Sequence, residues 1–357
     1  MSRLIAVFVF VTGACLGSFF KLIVDRYGTK ESFIFKLSYC NSCKKNLLWW
    51  QNIPVFGYLF LGGKCSFCKT KIDVYCLYAE LITGFAALLL YVALVFKNQN
   101  VFEIAAMISF FMVLLLLSMF DFKHKIIPHE ITYSAILIIV LCKVFFKVQI
   151  QESFVNLGVA FLFMDFMCLI AMLFKKDDQD ENKISVSLMT WTILSFFINN
   201  IYFVLIPIVL YFVSINFQFS KKAYLFLRLS LFFLLLCYGF KTVYFDLDPA
   251  SLELYFSGIG IIYFVCEVLF YFFQRFFIVP PHSSALSHEP PVAIGGGDIT
   301  VFALISVFLG YKISFLTLFI ASFLGIISHF ILKFTGRSVS FVPYLTLACF
   351  IIILIKK

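Results

Sequence analysis

The chain has 357 residues, of which 62% are hydrophobic and 13% charged, with a mean hydropathy of +1.02 and a formal net charge of +9. A soluble protein of this length cannot hide so much apolar surface, so the composition excludes a water-soluble globular protein and calls for a polytopic membrane protein. The positive charge does not point to nucleic acid, because no basic block has a nucleic-acid module around it; it reads as Lys/Arg-rich loops that set membrane orientation.

The first apolar run, about Leu4 to Phe20, stays apolar past Cys15 and then meets a stretch bearing Lys and Arg. That pattern suits a first transmembrane helix that is retained rather than a cleaved signal peptide. Residues 21–76 form a polar loop with nine Lys/Arg and three acids. The positive-inside rule places this loop in the cytoplasm and the N-terminus outside. Spans follow at about Leu77 to Phe96 and Val101 to Phe120, joined by a tight turn over Lys97 to Asn100, so the third span delivers Asp121 to the cytoplasmic face. Pro128 starts the return span, about Ile131 to Phe146, since proline suits the first turn of a helix.

Further spans are expected at about Phe154 to Phe174, Ile184 to Ile198, Tyr202 to Ile215, Ala223 to Phe240 and Leu254 to Phe273. A cytoplasmic stretch rich in Pro and Ser, Arg275 to Ile294, leads to the last three: about Ile299 to Leu309, Ile313 to Leu332 and Phe341 to Ile355. The Ile299 span is short unless it begins above Asp298. The expected fold is therefore all-α, with about twelve transmembrane helices and one small cytoplasmic loop. It divides into 1–20 (first span), 21–76 (loop), 77–148 (spans carrying Asp121), 149–248 (a region of unassigned role) and 249–357 (spans carrying Asp298). Alternation puts Asp298 on the same face as Asp121. One span more or fewer would separate them by about 30 Å of hydrocarbon.

Two patterns carry chemistry. In the loop, Cys40-x-x-Cys43 and Cys65-x-x-Cys68 offer four thiolates at tetrahedral reach, which suits a structural Zn²⁺. Lys44, Lys45, Lys64 and Lys69 favour thiolate over thiol, and metal would supply folding energy to a loop with little core. The alternatives are free thiols or two disulfides, the latter disfavoured on a reducing side. Six other cysteines (Cys15, Cys142, Cys168, Cys237, Cys266, Cys349) lie in apolar runs and read as small core or lipid-facing residues. The second pattern is Gly295-Gly296-Gly297-Asp298 at the mouth of a span, with Asp121 as its partner. An acid there is costly, and glycines beside it let a substrate chain come close. Two carboxylates sharing a site cannot both ionise cheaply: one keeps a proton while the other activates water. The plain alternative is that each acid caps a helix end. The other embedded ionisable groups (Glu80, Glu103, Lys143, Asp165, Glu267, His329) sit beside no glycine turn and read as pairing between helices or lining a cavity.

These residues resemble the type IV prepilin peptidases, a family of integral-membrane aspartic leader peptidases and N-methyltransferases. Gly17-Ser18-Phe19 through Arg26 resembles the family's first-span segment. Ser38-x-Cys40-x-x-Cys43, Asn52-Ile53-Pro54-Val55-x-x-Tyr58-Leu59, Gly63-Lys64-Cys65-x-x-Cys68 and Glu80-Leu81-Ile82-Thr83-Gly84 resemble its zinc loop. Asp121, then Ile127-Pro128 and Thr132, resembles the first catalytic motif, Gly295-x-Gly297-Asp298 the second, and Phe341-Val342-Pro343-Tyr344-Leu345 the last span. The resemblance implies cleavage of basic leaders from prepilin-like precursors at the cytoplasmic edge of a bacterial inner membrane, then N-methylation with S-adenosylmethionine. Asp121 and Asp298 would be catalytic, Gly295 and Gly297 would shape the turn, and Cys40, Cys43, Cys65 and Cys68 would hold zinc. The partners implied are the precursors and the lipid bilayer, with no nucleic acid. Four departures stand out: Ile299-Thr300 where the family has x-Lys, His129 after Ile-Pro, Tyr75-Cys76-Leu77 after the second cysteine pair, and about 100 extra residues near Gln149 to Asp248. Two rival readings are a transporter or assembly scaffold using the loop as a docking knob, and a presenilin-like protease. The latter accounts for Gly-Gly-Gly-Asp but not for the cysteines.

Overall fold

The structure is a computed structural model describing residues 3–29, 37–40, 42–146, 148, 150–174, 257, 261, 264, 268, 296–332 and 340–355. Among these the regular structure is helical: α1 (Arg3–Arg26), α2 (Phe56–Phe60), α3 (Val74–Phe96), α4 (Val101–His124), α5 (His129–Phe145), α6 (Ile150–Phe174), α7 (Gly296–Leu309), α8 (Tyr311–Leu332) and α9 (Val342–Ile355). Among the described residues, four helical stretches are long and apolar enough to cross a membrane: Leu4–Arg26, Val74–Phe96, Val101–His124 and Tyr311–His329. The expected spans at 184–198, 202–215 and 223–240 lie outside the described residues. Of the 254–273 span only residues 257, 261, 264 and 268 are described, and they are helical.

Helices run further than hydropathy alone implied, because polar ends are satisfied locally. The first helix continues past Phe20 to Arg26, where Lys21 and Asp25 pair one turn apart and Lys123 of α4 reaches the same carboxylate. The loop therefore begins after Arg26 and ends at Asp73, whose side chain caps α3 by accepting the Tyr75 N–H. At the start of α4, Asn100 and Glu103 form a reciprocal capping box, so Glu103 serves its own helix rather than a neighbouring one.

The chain divides into two units, Met1–Pro128 with Thr317–Lys357, and His129–Leu316, with α8 contributing to both. In the first unit α1 crosses α3 at very short range. A Cβ on Gly13 would fall 2.8 Å from the Ala87 Cβ, and one on Gly17 would fall 2.1 Å from the Thr83 hydroxyl. This is the small-x-x-x-small device by which membrane helices pack without a hydrophobic drive. The α4 helix lies against α1, with His124 Nε2 donating to the Val24 carbonyl at 2.7 Å. The α9 helix lies against α4 through a 2.6 Å bond between Ser118 and Thr346, and Lys97 Nζ donates to the Ile353 carbonyl at 2.6 Å. The C-terminal ends of α1 and α4 and the N-terminal ends of α3 and α9 thus share one end of this unit.

In the second unit α5 and α6 form a helical hairpin packed on α7. Lys143, near the end of α5, donates to Ser153 of α6 and to the Val307 carbonyl of α7, both at 2.9 Å, so this ammonium does pair between helices. The Tyr311 N–H reaches Asn156 Oδ1 at 3.2 Å. These bonds gather the C-terminal ends of α5 and α7 with the N-terminal part of α6. The first turn of α7 is therefore at the opposite end of this unit, where α5 begins.

Candidate active-site and metal-binding residues

Asp121 lies in the last turn of α4 and is 8% exposed. Its Oδ2 accepts the Val342 N–H at 3.0 Å. Val342 is the first residue of α9, so the carboxylate sits on a helix N-terminus, where free N–H groups and the helix dipole favour an anion. Ser340 Oγ donates to the Asp121 carbonyl at 3.1 Å, and Lys125 Nζ bonds Ser340 Oγ in turn. Lys125 closes α4 in the left-handed conformation, at φ 58°, with its N–H on the same Asp121 carbonyl. The sequence pointed to Asp121 but not to this cradle. The available signal was Ser340-Phe341-Val342-Pro343, since a proline in the first turn marks a helix start with free N–H groups before it.

Asp298 is the third residue of α7 and is half-buried. An acid in the first turn is favoured by the dipole. The helix starts above Asp298, and Gly297 lies in its first turn rather than in a preceding bend; Gly295 lies outside the described residues. Thr300, where the resembling family carries lysine, is buried at 3% exposure and donates its hydroxyl to the Gly297 carbonyl at 2.8 Å. His129 opens α5 and stacks on Tyr133, with ring centroids 5.6 Å apart. Asp121 belongs to the first unit and Asp298 to the second.

The four loop cysteines do come together. The Sγ atoms of Cys40, Cys43, Cys65 and Cys68 all lie within 4.8 Å of one another, and Cys40 to Cys68 is 3.7 Å. A tetrahedral ion with Zn–S bonds of about 2.3 Å sets its sulfurs about 3.8 Å apart, so the cluster fits a metal of that kind. The two halves repeat the same backbone. Cys40 N–H bonds the Lys45 carbonyl and Lys44 N–H the Cys40 carbonyl, as Cys65 N–H bonds Thr70 and Lys69 N–H bonds Cys65. Bridges Tyr39–Asn46 and Lys64–Lys71 close each half, and Lys44 and Lys69 both take positive φ, 58° and 60°. The backbone N–H of Cys43 beside the Cys40 sulfur pulls that thiol down to about 6. Among the remaining cysteines Cys349 is buried, whereas Cys15 and Cys142 are exposed on helix surfaces.

One further carboxylate ties the loop to the helices. Glu80, on α3 and 7% exposed, accepts the Val55 N–H at 2.6 Å. Val55 has φ 64° and ψ −54°, and Phe56 N–H bonds the Pro54 carbonyl at 2.7 Å across it. This is the strained form of γ-turn, here on a β-branched residue, and it persists because Glu80 holds its N–H.

The sequence pattern described as the Bacterial Peptidase A24 N-terminal domain matches residues 11–94, and that of the type IV leader peptidase family matches residues 220–330. The first match includes all four loop cysteines and Glu80; the second includes Asp298. Asp121 lies between them. Among relatives, the chain is similar to the prepilin leader peptidase/N-methyltransferase of Myxococcus xanthus (strain DK1622), at 32% identity over 38% of this chain and 39% of that protein. It is also similar to the proteins of that name from Vibrio cholerae, at 25% identity over 47% of this chain and 68% of the relative, and Neisseria gonorrhoeae, at 47% identity over 15% and 20%. The chain thus aligns with 39% of the Myxococcus protein's length. No solved structure matches.

Proposed function

Since the chain belongs to the type IV leader peptidase family, we propose that it is a membrane aspartic endopeptidase that removes the leader from type IV prepilin-like precursors. N-methylation of the new N-terminus, named in its relatives, is the second activity of this reading. The protein resides in a bacterial inner membrane with the cysteine loop and Asp121 facing the cytoplasm.

The observation that carries the proposal is the held carboxylate of Asp121. Its Oδ2 accepts the Val342 N–H, and the Phe341 N–H also bonds the carboxylate, so backbone groups at the start of α9 hold it in place. Asp298 is its proposed partner. It opens α7 at the end of its unit where α5 begins, and α5 begins at His129, eight positions after Asp121. In the reaction one carboxylate, ionised, takes a proton from a water whose oxygen attacks the scissile carbonyl carbon. The other, protonated, gives its proton to the carbonyl oxygen. Collapse of the tetrahedral intermediate breaks the C–N bond, and the new amine leaves with a proton. Two acids act here as one titrating unit, so neither is assigned the proton. Gly295 and Gly297, next to Asp298 in the sequence, are the proposed turn-shaping residues, since glycine lets a substrate chain come close.

The four cysteines would hold Zn²⁺ and so fix the loop, which has little core of its own. S-adenosylmethionine does not fit one groove among the described residues. That groove, about 500 Å³ between α3, α4 and α9, has only hydroxyls for polar groups (Tyr75, Tyr78, Thr83, Ser118, Thr346) and no charged side chain for the methionyl end. The methyl-transfer step is therefore not assigned to residues.

Purified protein incubated with a prepilin-like peptide, with and without S-adenosylmethionine, tests the reading by mass spectrometry. The expected products are the shortened peptide and, with the cofactor, its methylated form. Asp121→Asn and Asp298→Asn should each abolish cleavage, the double change should be no worse, and methylation of a pre-cleaved peptide should survive both. Normal cleavage by Asp298→Asn would overturn the pairing and favour a scaffold or transporter.

A further inference from the structure

The cysteine loop shows apolar side chains where a soluble domain would hide them. Trp49 is 80% exposed, Phe60 79%, Leu59 60% and Phe56 54%. On α2 the pattern is inverted. Gly57 is buried against Gln51, and Tyr58 packs on Gly63, while Phe56, Leu59 and Phe60, at helical spacing, face outward. Phe56 and Phe60 stack at 6.3 Å between centroids. A contiguous apolar face of this kind marks an interaction surface.

What covers it follows from where the loop is fixed. The Val55 N–H, one residue before α2, is bonded to Glu80, six residues into α3. At 1.5 Å per residue Glu80 lies about 9 Å along α3 from Val74, so α2 starts beside the first turns of a candidate span. There the neighbouring phase is the boundary between headgroups and acyl chains, where Trp and Phe accumulate. The loop's charge agrees: Lys44, Lys45, Lys64, Lys69 and Lys71 are all exposed, which suits an anionic lipid surface. We propose that Trp49, Phe56, Leu59 and Phe60 are an interfacial anchor that seats the cysteine loop in the surface layer of the bilayer. The inference rests on the membrane span and the Glu80 bond, not on the peptidase reading. A partner protein on the same face is the competing outcome.

The test is a protein whose only tryptophan is Trp49, made by Trp50→Phe and Trp191→Phe, in vesicles of phosphatidylcholine and phosphatidylglycerol. For an anchor sunk about 5–10 Å into the boundary, emission should fall by about half with chains brominated at a shallow position and less with deep ones. Equal emission in brominated and plain lipid overturns the proposal, whether acrylamide shows Trp49 in water or shielded by protein. The unaltered chain gives an independent reading by photolabelling with a diazirine lipid and peptide mapping. Label on residues 49–60 supports the anchor; label confined to the spans overturns it.

Discussion

Val342→Pro removes one hydrogen atom of consequence. Val342 is the first residue of α9, where proline is tolerated because its φ suits a helix start and no intrahelical bond is lost. The N–H it deletes is held by Asp121 Oδ2 at 3.0 Å, while the Phe341 N–H stays on the same carboxylate. A hydrogen bond to an ionised group contributes about 1.5–3 kcal/mol, and each 1.4 kcal/mol is tenfold. If the carboxylate must be held to act, kcat/KM for leader cleavage should fall by about 10- to 100-fold. The change also trims a side chain that is fully buried, so Val342→Ala is the control: it keeps the N–H and costs stability alone, about 1–2 kcal/mol. Both proteins are to be compared for peptide cleavage and for thermal unfolding in the same detergent. Equal kcat/KM for the proline and alanine proteins would refute the role given to this helix N-terminus.

Three further outcomes are expected. Metal analysis of protein kept reduced should find about one zinc per chain, lost on Cys40→Ser or Cys68→Ser; a metal-free protein with all four thiols intact would contradict the geometry. Gly17→Val should destabilise the α1–α3 crossing by several kcal/mol, since its Cβ would fall 2.1 Å from the Thr83 hydroxyl and 2.7 Å from the Ala79 carbonyl; an unchanged unfolding temperature would show that the helices separate freely. Glu80→Ala should remove about 1–3 kcal/mol from the attachment of the loop and speed proteolysis between residues 37 and 73, with no change in cleavage rate within the spans.

Much of this was legible because it is local. Membrane helices follow from apolar runs longer than a bilayer needs, and a cluster able to hold a metal from four thiols in two closely spaced pairs. Both need only near neighbours along the chain. The paired positions of the cysteines even imply the repeated turn, although its positive φ at Lys44 and Lys69 appears only in the backbone. Helix ends were less legible, since hydropathy falls at Lys21 while the helix continues to Arg26 on an ion pair with α4. The remainder depended on residues far apart in sequence. Sequence marked Asp121 as an acid at the end of a span, but the Val342 N–H that holds it comes from 221 positions away. Sequence marked Glu80 as a buried charge, and only the fold paired it with a strained amide in the loop. A pattern along the chain records which groups need partners, because burial of a charge or an N–H is costly wherever it occurs. Which partner answers is set by how helices pack, and that is decided in three dimensions.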